Sequence, residues 1–110
     1  MWETRCVKVK LKAGSLEHVK EWAAEINRRA DEALATLEDK GVVVESAFLD
    51  STDEGDFLIY YMKAESLERA REAASRSAHA IDEYHQQFQR DTFESGKRLE
   101  LLIDFDRIKS

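Results

Sequence analysis

Val42-Val43-Val44-Glu45-Ser46-Ala47-Phe48-Leu49 and Phe57-Leu58-Ile59-Tyr60-Tyr61-Met62-Lys63 stand mid-chain, parted only by the polar run Asp50-Ser51-Thr52-Asp53-Glu54-Gly55-Asp56. β-Branched and aromatic residues favour a pleated, packed surface, so both stretches read as strands. The run between them has turn chemistry, and its length suits a hairpin. Each strand carries apolar side chains on both faces, so both faces of the sheet are at least partly covered.

Working outward toward the N-terminus, a helix precedes this hairpin. Leu16, Val19, Trp22, Ala23, Ile26, Ala30, Ala33, Leu34 and Leu37 recur at helical spacing behind the cap Ser15, and Lys40-Gly41 ends the run. The spacing predicts one amphipathic helix of about seven turns. Before it, Cys6-Val7-Lys8-Val9-Lys10-Leu11-Lys12 alternates strictly, as a strand with two unlike faces does.

Toward the C-terminus, Ser66 can cap a second helix whose apolar side holds Leu67, Ala70, Ala74, Ile81, Tyr84 and Phe88. Ser75-Arg76-Ser77 is a weak point where a kink is expected, with Ser77 able to cap a restart. Gly96 is the expected terminator, and Leu99-Glu100-Leu101-Leu102-Ile103-Asp104-Phe105 alternates as a last strand. The order β-α-β-β-α-β is the split βαβ, or ferredoxin-like, arrangement. The expected α+β fold is one domain over residues 1–110, a four-stranded antiparallel sheet with both helices on one face. Right-handed crossovers place the first and third strands centrally. Val7, Val9 and Leu11, with Leu99, Leu101, Ile103 and Phe105, are expected to face the helices.

Composition narrows the function. The chain has 110 residues, 43% hydrophobic and 36% charged, enough apolar content for a core. A net charge of −6 gives no electrostatic reason to bind nucleic acid or an anionic membrane. No apolar run approaches the roughly 20 residues of a membrane helix, and the first residues are not those of a signal peptide. A lone Cys6 excludes an internal disulfide framework, and a cytoplasmic setting is expected.

The second sheet face is too apolar for a simple solvent face. It takes either Val43, Ala47 and Leu49 or Val44 and Phe48, with either Tyr60 and Met62 or Phe57, Ile59 and Tyr61. Exposed patches of that kind mark interaction surfaces, and a homodimer with its two sheets face to face is the expected solution. Lys8, Lys10 and Lys12 of the first strand and Arg98, Glu100 and Asp104 of the last are placed on the same face, with Glu45 as a further candidate for it. These charges can form ion pairs across the first and fourth strands, or line a cavity where a lysine and a tyrosine anchor an anionic ligand.

His85 lies at the border of the apolar side of the second helix, with Asp82 three residues before it. A carboxylate there can fix the imidazole tautomer and raise its pKa. The candidate catalytic residues are therefore His85, Asp82 and Tyr60. The candidate ligand-binding residues are Lys8, Lys10, Glu45, Tyr60 and His85. His79 and His85 cannot easily share a metal, and no zincin, Walker or dinucleotide-binding pattern is present, so no metal and no cofactor are expected.

Val44-Glu45-Ser46-Ala47-Phe48, Leu58-Ile59-Tyr60-Tyr61 and His79-Ala80-Ile81-Asp82-Glu83-Tyr84-His85-Gln86-Gln87-Phe88 resemble the dimeric α+β barrel superfamily, which includes antibiotic-biosynthesis-type monooxygenases. Within it the chain is similar to a small bacterial family of unknown function. The resemblance implies the fold and a dimer, and no established reaction. The haem-degrading branch uses an asparagine on the first strand and a tryptophan in the cavity. Here the first strand has Lys8 and Lys10, and the tryptophans are Trp2 at the terminus and Trp22 on the first helix, which argues against haem degradation. The expected function is a non-catalytic module that binds a small molecule or a partner. The alternative is a cofactor-independent monooxygenase or isomerase acting on a small anionic or aromatic substrate.

Overall fold

In the computed structural model, which describes residues 2–108, eight elements follow one another. They are β1 (Glu3–Leu11), α1 (Leu16–Arg28), α2 (Ala30–Lys40), β2 (Val42–Thr52), β3 (Gly55–Ala64), α3 (Leu67–Ser75), α4 (Ala80–Thr92) and β4 (Phe93–Arg98). The strands form one antiparallel sheet in the order β2-β3-β1-β4, with β1 and β3 central as the crossover rule requires. The fold is the ferredoxin-like α+β arrangement.

The central hairpin is tighter than its polar loop suggests. Thr52 pairs with Gly55, so only Asp53 and Glu54 turn the chain. Ser51 Oγ donates to Asp56 Oδ1 at 2.8 Å and Thr52 Oγ1 to the Gly55 carbonyl at 2.8 Å, which gives these polar residues partners across the ladder. Gly55 has φ 132°, a conformation that side-chain-bearing residues rarely adopt.

Each expected long helix is two shorter ones. The first breaks at Arg29, whose backbone N–H is shared between the carbonyls of Glu25 and Ile26. A straight helix of about 37 Å would run off a twisted sheet. The break lets α1 pack on α4 while α2 turns toward β2 and α3. It also rotates the stripe, so Leu34 stands 62% exposed while Thr36 is buried. The second helix breaks between Ser75 and Ala80, where the weak stretch was expected. There Ser77 Oγ accepts the His79 backbone N–H and donates to Asp82.

The last strand departs from expectation. It is Phe93–Arg98, and Leu99–Phe105 forms no strand. The Lys12 amide bonds the Thr92 carbonyl at 2.7 Å, tying the end of α4 to the end of β1. The chain must therefore pair at once, Phe93 with Leu11 and Arg98 with Val7, and Gly96 lies inside this strand rather than ending a helix. After a last ladder bond from the Leu99 amide to the Cys6 carbonyl, the tail crosses the sheet face away from the helices. Asp104 accepts from Thr4 and Lys63, and Asp106 from Lys63. These two carboxylates hold the Lys63 pKa above its ordinary value. Leu101, Ile103 and Phe105 thus do not face the helices.

Two apolar clusters hold the layers together. Leu11, Val19, Trp22, Leu58 and Phe88 form one, and Val42, Ala64 and Ala70 form the other. No helix among the described residues is long and apolar enough to cross a membrane.

Candidate functional site

A β-bulge decides which side chains reach the space between the two clusters. Val42 pairs with Ala64, but the register then slips, so that Val44 pairs with Lys63 and Glu45 with Met62. One extra residue reverses the alternation beyond it. Glu45 consequently shares the helix-facing side with Tyr60 and Met62, while Val44 and Phe48 face outward. The expectation that Glu45 and Lys8 share one face is thus corrected.

On that side lies a cavity of about 320 Å³ between the sheet and the α3–α4 pair. Small residues on α3, Ala70 and Ala74, leave the room. Val7, Met62, Leu67 and Phe93 supply apolar walls, and Arg5, Glu45, Tyr60, His85, Gln86 and Gln89 supply polar groups. A smaller recess reaches Trp22 past Glu45, Asp82 and His85.

His85 is fixed at both nitrogens. Trp22 Nε1 donates to Nδ1 at 3.1 Å, and the Gln89 side-chain amide stands 3.1 Å from Nε2. An indole N–H only donates, so the neutral imidazole carries its proton on Nε2, and a hydrogen bond there requires the Gln89 amide to be assigned with its oxygen, not its nitrogen, facing the ring. Trp22 also stacks on this ring with centroids 5.6 Å apart. The His85 pKa is pushed down to about 4, first by burial and then by the Lys40 charge, with Asp82 opposing. This reverses the expected rise, because Asp82 is committed elsewhere. It accepts from Lys40 Nζ at 2.8 Å and from Ser77. Burial pushes the Asp82 carboxyl up, and those two bonds outweigh it, so it stays ionised below the usual range.

In the cavity, Tyr60 and Glu45 are the candidates that the sequence named whose side chains have no hydrogen-bond partner among the described residues. The Tyr60 hydroxyl is buried and has no hydrogen-bond partner among the described residues. Burial, then the neighbouring Glu45 charge, raises its pKa. Glu45 is an exposed residue at the edge of the cavity, and the protein around its carboxyl partly desolvates it. That desolvation raises its pKa against the pull of Lys40, and Asp82 adds to the rise.

Of the sequence candidates, the cavity therefore brings together Glu45, Tyr60, His85 and Asp82. Lys8 and Lys10 lie on the opposite face. Lys8 pairs with Asp50 at 3.4 Å and sits over the Phe57 ring, and Lys10 pairs with Glu94 at 3.6 Å. Trp22, Arg5 and Gln89 escaped the sequence reading as site residues. Trp22 sits on the buried stripe of α1, but only packing shows that it meets His85. No three metal-ligating side chains gather among the described residues.

The buried His85 makes stability depend on pH. Its folded pKa lies below the ordinary 6.5, so the unfolded chain binds its proton first. The stabilising contribution is complete above pH 6.5 and fades as pH falls toward 4. The full swing is at most about 3 kcal/mol. Urea unfolding across this window should show wild type losing more stability than His85→Gln. Parallel profiles would remove the buried neutral imidazole from the account.

The same architecture recurs in solved structures. An L-rhamnose mutarotase from Formosa agariphila matches with TM-score 0.63 at 20% identity, covering 94% of this chain and 99% of that one. A protein from Nitrosomonas europaea named "Putative antibiotic biosynthesis monooxygenase" matches with TM-score 0.59 at 15% identity, covering 89% and 86%. A NIPSNAP family protein of unknown function from Agrobacterium tumefaciens matches with TM-score 0.58 at 17% identity, covering 90% and 84%. These likenesses establish the ferredoxin-like α+β fold. No curated protein matches the sequence. A family profile matches residues 2–110, and the chain belongs to that family, the family of unknown function DUF6176.

Proposed function

We propose that this protein is a small-molecule-binding module whose ligand occupies the cavity between the sheet and the α3–α4 pair. The observation that carries this reading is the Tyr60 hydroxyl, buried beside the cavity with no hydrogen-bond partner among the described residues. Leaving a buried hydroxyl unbonded costs about 1–3 kcal/mol, a cost that a ligand oxygen removes. Tyr60→Phe should leave the fold as stable as wild type or slightly more so, because no internal bond is lost. Native mass spectrometry of protein purified from its own host should show a retained small molecule in wild type and much less in Tyr60→Phe. Equal retention in both would overturn the role of this hydroxyl.

A second reading has its own support. A carboxyl with a raised pKa beside a phenol can exchange protons with a bound molecule. Glu45 and Tyr60 form such a pair, which suits the cofactor-independent isomerase or monooxygenase alternative on a small anionic or aromatic substrate. In that case His85, held at both nitrogens, positions rather than transfers, and Asp82 anchors Lys40 and Ser77.

The proposed assembly is a homodimer through the outer sheet face, in a cytoplasmic setting that suits the lone thiol. Support comes from Phe48 on that face and from Leu102 and Phe105 of the tail, which stand 60%, 82% and 89% exposed. Apolar groups gathered this way are characteristic of an interface.

A further inference from the structure

Arg5 is a cavity cation with no carboxylate partner among the described residues. It lies on β1 opposite Met62, on the helix-facing side, and is half-buried. Among the described residues no carboxylate stands within ion-pairing distance of it, and its one side-chain hydrogen bond is from Nη2 to Met62 Sδ at 3.7 Å, a weak acceptor. The Glu45 carboxylate feels its charge without reaching it. Lys40, the cation across the cavity, is already neutralised by Asp82 at 2.8 Å. Arg71 of α3, an exposed residue, lines the same space and makes no ion pair among the described residues. A half-buried guanidinium facing apolar walls is costly unless an anion pairs with it, and its planar fork matches a carboxylate.

We propose that the cavity takes a small organic acid, its carboxylate held by Arg5 with Arg71 beside it, its hydroxyl or carbonyl oxygen on Tyr60, and its apolar body against Val7, Met62 and Leu67. The anchoring cation is thus Arg5 rather than Lys8 or Lys10, and the assignment rests on the cavity being a ligand site. Its size, at the small end of ligand pockets, fits such a molecule.

Calorimetric titration of the full chain with 3-phenyllactate, phenylpyruvate, 4-hydroxyphenylacetate and hexanoate, each against its methyl ester, tests this. At least one acid should bind about tenfold or more tighter than its ester, as a charge-assisted bond implies. Arg5→Gln should abolish that preference by weakening acid binding more than ester binding. Arg5→Lys, which keeps the charge but loses the fork, should reduce it, and this variant decides the matter if Arg5→Gln does not fold. Equal binding of acids and esters, or a preference unchanged in these variants, would overturn the carboxylate assignment while leaving the cavity a ligand site. Binding of neither acids nor esters at millimolar concentration would overturn both.

Discussion

Phe88→Ala should destabilise the protein by about 3–5 kcal/mol, the range for truncating a buried phenylalanine. Phe88 is 2% exposed and stacks on Trp22 with ring centroids 4.5 Å apart and planes 5° from parallel. Phe93 and His18 meet it edge-on at 5.9 and 5.5 Å. The substitution therefore removes a large transfer contribution and also leaves a void among rigid rings that cannot collapse into it. Domains of this size are stable by only about 5–15 kcal/mol, so the variant should unfold at much lower urea with an unchanged slope. Glu21→Ala, on the exposed side of α1, should stay within about 0.5 kcal/mol. A cost below about 1 kcal/mol for Phe88→Ala would mean that this aromatic group is not the main core.

Wild-type protein should sediment at about twice 12.7 kDa at micromolar concentration, and Phe48→Asp should shift it to the monomer. Phe48 lies on the outer face of β2, across from Ile59 of β3, with Tyr61 on the same face. A central aromatic at an interface commonly carries 2 kcal/mol or more, so the dissociation constant should rise about thirtyfold or further. Far-UV circular dichroism should not change, because Phe48 contributes nothing to the helix-facing core. A monomeric wild type, or a Phe48→Asp dimer of unchanged affinity, would remove the sheet-face interface. Tyr60, which the alternation alone could have put on that face, points the other way, into the cavity. Changing it tests ligand binding and not assembly.

The same division explains what could be read before the chain was folded. Strict alternation in β1 and the paired runs of β2 and β3 depend on local stereochemistry, and so does the weak stretch at Ser75–Ser77. From them followed the element order, the central strands and the helix-facing Val7, Val9 and Leu11. The four-stranded α+β fold was legible for this reason. So was the presence of Tyr60 and His85 on elements that converge.

Three features belonged to tertiary structure. The bulge near Val43 is a choice of hydrogen-bond register, and no side-chain pattern announces it. Yet it alone turns Glu45 into the cavity and away from Lys8 and Lys10. The strand at Phe93–Arg98 has weak intrinsic preference, with Glu94, Ser95, Gly96 and Lys97 in it, whereas Leu99–Phe105 has a strong one. Pairing went to the segment that the end of α4 delivers beside β1, because chain connectivity fixes position before propensity can act. The His85 pKa is the third. Sequence spacing set Asp82 within reach, but Lys40, brought in from α2, joins the nearby Ser77 in claiming that carboxylate and leaves the imidazole to burial. Local pattern therefore determined which elements form and which faces they bury. Long-range register and competition for charged partners decided which side chains share a site, since both depend on residues distant in sequence meeting at distances of a few ångströms.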